Sequence, residues 1–225
     1  MTNNKSFLRF GGLAGILLAI TSWTTVAVFF TIVPPAQRVP VTDVNAFLQS
    51  LAQTSSGTQL YYGLYALIAV WAFIGIAAMY YKVREVNEAW ASFATALALI
   101  GAFMTVLNGL QQVAQYRYLA TLYPTAKDLA AALFSAPAPL NPLNAITMGL
   151  TAPWFLIIPI LMLRTDLPKL LAYLGFIAFA DLAIGFVASL VDIQMVSIAA
   201  AVIAGAVGGL VFWLWLGALL WRQDK

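Results

Sequence analysis

The chain has 225 residues, 63% of them hydrophobic and 8% charged, with a formal net charge of +3 and neither histidine nor cysteine. That composition excludes an ordinary soluble domain and marks a polytopic membrane protein. The missing side chains exclude His-ligated haem, metal and chlorophyll sites, a zinc-dependent intramembrane protease, disulfides and thiol chemistry.

A helix needs about twenty apolar residues to cross about 30 Å of hydrocarbon. Six runs qualify: 10–33, 59–81, 89–113, 145–163, 170–190 and 196–221. No alternating polar and apolar pattern of the kind a barrel requires competes with them. The expected fold is all-α, a single six-transmembrane-helix bundle over 1–225, with no room for a soluble catalytic domain.

Lys5 and Arg9 precede the first run, which is too long for a signal-peptide core and is expected to stay as the first span. It carries Gly11 and Gly15, small residues four apart that let helix backbones approach closely. The outer loop 34–58 opens on Pro34-Pro35 and places Val44, Phe47, Leu48 and Leu51 on one helical face, with Thr42 as N-cap. After the second span, the third carries Thr105, Asn108, Gln111, Gln112 and Gln115 on one face, leading to Tyr116 and Arg117. The outer loop 117–144 has Thr125 and Asp128 spaced as a capping box before Leu129, Leu133 and Phe134. Both loops are expected to hold a short interfacial helix. Pro137, Pro139 and Pro142 punctuate the second loop.

In the fourth span Pro153 and Pro159 flank Trp154, so a kink or irregular turn is expected. In the fifth, Ala178, Asp181, Gly185, Ala188 and Asp192 share one face. The sixth carries Ala201, Gly205 and Gly209, again small residues four apart. Tyr61, Tyr62, Tyr80, Tyr81, Trp90, Tyr116, Tyr118 and Trp221 fall where aromatic belts belong. Lys5, Arg9, Lys82, Arg84, Arg164, Lys169, Arg222 and Lys225 lie on one side of this arrangement, and only Arg38, Arg117 and Lys127 on the other. The positive-inside rule then places both termini in the cytoplasm of a bacterial inner membrane, and the scattered cations point to lipid headgroups, with no nucleic acid partner.

Asp181 is the main polar feature inside a span. An ionised Asp at a helix centre costs about 2.5–3.5 kcal/mol on the insertion scale. No Lys or Arg lies at its depth, so it is expected to be protonated or bonded into a polar cluster with Asn108, or with Gln111 or Gln112. The functional reading of that cluster is a small outward-opening cavity for a headgroup, a proton or a cation, with Tyr116 and Arg117 at its outer mouth. The bland reading is an interhelical hydrogen-bond network. No lysine lies inside a span to form a Schiff base, and Ser22 and Ser189 have no base to activate them, so catalysis is the least supported class.

Arg9-Phe10-Gly11-Gly12-Leu13-Ala14-Gly15, the amphipathic segment before the second span, and Leu167-Pro168-Lys169-Leu170-Leu171-Ala172-Tyr173-Leu174-Gly175 together resemble a bacterial family of six-helix integral membrane proteins of unknown function. The resemblance implies fold and membrane location and carries over no catalytic residues. Two functions are therefore expected in competition. One is an accessory or scaffolding subunit of a larger membrane complex, with lipid- or quinone-like molecules in its grooves and no cofactor beyond bound lipid. The other is a small transporter or ligand-binding protein built on Asp181.

Overall fold

The structure, a computed structural model, describes residues 2–38, 41–136, 145–191, 193–203 and 209–222. It consists of α1 (Thr2–Thr31), a 3-10 turn (Pro35–Gln37), α2 (Val44–Gln53), α3 (Ser56–Val83), α4 (Glu88–Leu122), α5 (Lys127–Ser135), α6 (Ala145–Met162), α7 (Lys169–Leu190), α8 (Gln194–Ile203) and α9 (Leu210–Arg222). Among the described residues there is no strand. Among these residues five helices, α1, α3, α4, α6 and α7, are long and apolar enough to cross a membrane, and the chain is an integral membrane protein of the helical class.

The expected sixth span is the correction. Its residues form two helices of 10 and 13 residues. At 1.5 Å per residue these reach about 15 and 20 Å, each short of a bilayer core. They also take different neighbours, α8 lying on α7 and α9 chiefly on α1. The run also holds Gly205, Gly208 and Gly209, poor helix formers that a hydropathy reading does not register. Of the small residues expected there, Ala201 lies in α8, Gly209 just precedes α9, and Gly205 is outside the described residues, as are Asp192, Pro137, Pro139, Pro142 and Lys225.

Packing runs round a ring: α1 on α3, α3 on α4, α4 on α6, α6 on α7, and α9 back onto α1 with a lighter contact to α7. The ring closes where glycines permit it. A Cβ on Gly12 would lie 2.7 Å from the Trp221 nitrogen and 2.8 Å from the Gly217 carbonyl oxygen, and one on Gly15 only 3.0 Å from the Trp213 oxygen. Without a hydrophobic drive between helices in lipid, such backbone approach is what makes the seam attractive. Gly11 does the same job on the other flank of α1, against Ala78 of α3. On α4 a buried row of Ala91, Ala94, Ala98 and Ala102 serves its neighbours.

The face carrying the start of α1, the α3–α4 turn and the α6–α7 turn is called the near side here. There Lys82 pairs with Asp166 at 2.8 Å, and that bond holds the Asp166 carboxyl below its ordinary range although most of the side chain is exposed. Arg84 lies over the Tyr81 ring at 4.8 Å. Above this face the interior of the ring is filled. Trp154 stacks on Trp213 at 5.5 Å with 14° between planes, and Phe155 and Phe212 meet edge to face at 5.4 Å. α6 runs without interruption through Pro153 and Pro159, so the expected irregular turn is not formed. Pro159 instead fills the space that Gly175 of α7 leaves open.

The far side carries a cap. α2 and α5 pack on each other and on the end of α4, burying Phe47, Leu48, Leu51 and Ala130 against Tyr116, Leu119 and Tyr123. The N-cap of α2 is Asp43, one residue past the expected Thr42, and its carboxylate accepts from the Asn45 and Ala46 amides at 2.9 and 3.0 Å. The expected capping box of α5 is absent: α5 starts without a side-chain cap bond, and Thr125 donates back to the Leu122 carbonyl, finishing α4. Leu129 and Leu133 face outward, because Phe134 supplies the inward contact by packing on Phe47 at 4.7 Å.

Gln37 fastens this cap to the bundle. Its amide nitrogen donates to Ser50 Oγ at 2.9 Å and to the Thr54 carbonyl at 2.8 Å, and its carbonyl oxygen accepts from the Thr58 hydroxyl. Replacing it by Leu leaves the buried Thr58 hydroxyl without its acceptor and removes the two part-buried bonds to Ser50 and Thr54, so Gln37→Leu should lower stability by about 1–3 kcal/mol. Thermal unfolding in detergent, compared with wild type, reads the loss; an unchanged midpoint would show that the clamp is not structural.

Candidate functional site: an acid on α7 and a polar face on α4

α7 presents the expected small-residue face. Ala178, Gly185 and Ala188 are buried, with Gly185 against Met148 of α6 and Ala200 of α8. Asp181 sits on that stripe, half-buried, with Oδ2 shielded from the surroundings. Two turns further, Ser189 donates to the Gly185 carbonyl at 2.8 Å and lies 2.7 Å from the Ser197 hydroxyl of α8. That link between α7 and α8 is a polar contact the sequence reading passed over, having weighed Ser189 only as a nucleophile.

The α4 face divides into two parts. Its inner part is Thr105, buried, donating to the Gly101 carbonyl at 3.0 Å and lying 3.4 Å from Thr147 Oγ1 of α6. Gly101 beside it leaves room for the Thr151 hydroxyl. Its outer part, Asn108, Gln111, Gln112 and Gln115, is half-buried and climbs toward the cap. Tyr116 is buried in the cap between Tyr62 at 5.3 Å and Phe47 at 5.5 Å. It and Tyr62 therefore belong to packing between elements, while Arg117 and Tyr118 are exposed.

The two halves of the expected cluster are not brought together. α6 packs between α4 and α7. At one level of α6, Gly101 of α4 meets Thr151 and the Thr147 carbonyl on one side, while Gly149 and Met148 meet Phe186 and Gly185 of α7 on the other. From that level Asp181 lies four residues toward the near side, about 6 Å, and Asn108 seven residues toward the far side, about 10 Å. Gln111, Gln112 and Gln115 lie further still. Asp181 thus sits on the face of α7 that α6 and α8 cover, and the α4 amides lie on the stretch of α4 between Thr105 and the cap contact at Tyr116. Between those depths lie the hydroxyls of Thr105, Thr147 and Thr151 among apolar groups.

Comparison with protein-family models, curated proteins and solved structures found no match to this chain.

Proposed function

We propose that the chain is a non-enzymatic accessory or scaffolding subunit of a membrane assembly, with lipid- or quinone-like molecules held in its surface grooves. The observation that carries this reading is the filled interior. Trp154 and Phe212 are fully buried, and with Phe155 and Trp213 they occupy the space where a path through the near-side half of the ring would run. What remains for function is surface. α7 turns Leu170, Tyr173, Ile177, Ile184, Val187 and Leu190 outward as one continuous apolar row, suited to lipid or to a neighbouring subunit. In this reading α8 and α9 together complete a sixth crossing. The near side, which carries most of the cations, faces the cytoplasm with both termini.

A second reading, a small transporter or ligand-binding protein, is favoured by Asp181 alone. A carboxylic acid within a span is a functional hypothesis by default. The experiment that separates the two is extraction from native membranes in mild detergent, native gel separation and identification of co-migrating chains. Migration with a defined larger complex is the expected result. Migration alone would reverse the order of the readings. Asp181→Asn, which keeps shape and most hydrogen bonding, should then leave a scaffold's assembly unchanged and abolish transport by the alternative.

A further inference from the structure

We infer that the far-side flank of α4 is a seat for one anionic phospholipid, with its phosphate at Arg117 and the start of an acyl chain over Ala114. Leu110, Val113, Ala114, Arg117, Tyr118 and Thr121 recur at helical spacing and line an open hollow on this flank. Ala114 forms its floor, since Leu110 and Tyr118, one turn to either side, are large and stand out from the helix. The depth is right for a lipid. α4 has 35 residues and is about 52 Å long, against about 40–45 Å for a whole bilayer with headgroups. Counted from Trp90 at the near-side surface, about 30 Å of helix ends at Leu110. The apolar part of the hollow therefore meets the hydrocarbon edge, and Arg117 to Thr121 meets the headgroup layer.

Charge selects the occupant. Of the far-side cations, Arg38 donates to the Val33 and Phe30 carbonyls at 3.0 and 2.9 Å, and Lys127 lies 5.8 Å over the Tyr123 ring. Arg117 is exposed and, among the described residues, has no ion pair, hydrogen bond or ring contact. A guanidinium beside an apolar hollow in the headgroup layer is matched by a phosphate whose lipid carries net negative charge. The Thr121 hydroxyl already donates to the Tyr118 carbonyl at 2.8 Å, which leaves its oxygen as an acceptor. A headgroup bearing hydroxyls, as in phosphatidylglycerol, supplies the donor.

This inference rests on the lipid half of the proposed function and not on the partner half. The test uses the full chain alone, purified and reconstituted in nanodiscs of phosphatidylcholine with a minor share of phosphatidylglycerol, then read by native mass spectrometry. Wild type should retain one phosphatidylglycerol in preference to phosphatidylcholine. Arg117→Gln should reduce that retention roughly fivefold. Ala114→Phe, which fills the floor and leaves the charge, should reduce it as well. Both positions are outside the core, and unchanged thermal midpoints confirm that folding is intact. Equal retention of the two lipids by wild type, or unchanged retention in Arg117→Gln, overturns the inference. Loss in Arg117→Gln without loss in Ala114→Phe also overturns it, because that pattern is diffuse attraction with no seat. None of these outcomes bears on whether partner chains exist.

Discussion

Gly217→Val should prevent the bundle from closing. A Cβ at this position would stand 2.7 Å from the Gly12 carbonyl oxygen and 2.9 Å from the Ile16 nitrogen. Both are backbone atoms, so no side chain can rotate away and α1 and α9 must separate. Separation removes the close approach that holds the seam and exposes Phe212, Trp213, Leu216 and Leu220, which α9 buries. The expected loss is more than about 4 kcal/mol, in the range reached only when core geometry is broken. Gly63→Val is the matched control, because nothing lies within 4 Å of a Cβ there. Size-exclusion profile and thermal midpoint in detergent should separate the two variants. If Gly217→Val behaved like Gly63→Val, the α1–α9 seam would be wrong.

The second large effect is at Trp154. It is fully buried, stacked on Trp213 and edge to face with Phe155 at 4.9 Å and Phe212 at 6.1 Å. Trp154→Ala removes the centre of this cluster and should cost about 3–5 kcal/mol. That is a large share of the total stability of a domain. Trp154→Phe is the informative companion. The indole Nε1 is buried with no hydrogen-bond partner among the described residues, so its removal relieves a desolvated donor while the ring contacts largely persist. The Phe variant should lose less than half of what the Ala variant loses. Equal losses in the unfolding midpoints would mean that the indole nitrogen serves a bonded partner.

Hydropathy and length made five spans legible, and the amphipathic stripe of α2 with them, because Phe47, Leu48 and Leu51 are the residues it buries. The far end of α4 was not legible. The apolar run stops near Val113, but the helix continues to Leu122. Gln111, Gln112, Gln115 and Arg117 form helix readily, and outside hydrocarbon a helix needs no apolar sequence to persist. The polar face therefore runs past the end of the apolar stretch, from Thr105 to Gln115, toward the cap contact at Tyr116. Half of the glycine seam was visible. Gly15 stands four residues from Gly11, whereas its partner across the seam, Gly217, stands among Trp and Leu with only Ala218 beside it and no spacing to announce it. Gln37 gave no signal, since its three bonds reach groups 13 to 21 positions away.

The candidate site divides along the same line. That Asp181 lies on a packed face followed from Ala178, Gly185 and Ala188, all within two turns of it on the same helix. Its supposed neighbour on α4 did not follow, because the order of helices round the ring is set by contacts distant in sequence. α6 takes the place between α4 and α7 by matching Gly101 on one side and Gly185 on the other.

The α1–α9 seam also sets an order in time. Gly12 and Gly15 leave the ribosome about two hundred residues before the helix they are shaped for is completed. Until then the glycine face of α1 has only lipid or other proteins to lie against, while α3, α4, α6 and α7 are added to it one after another. The ring is thus a clasp that shuts last, and synthesis must hold its first half open in the bilayer until the second arrives.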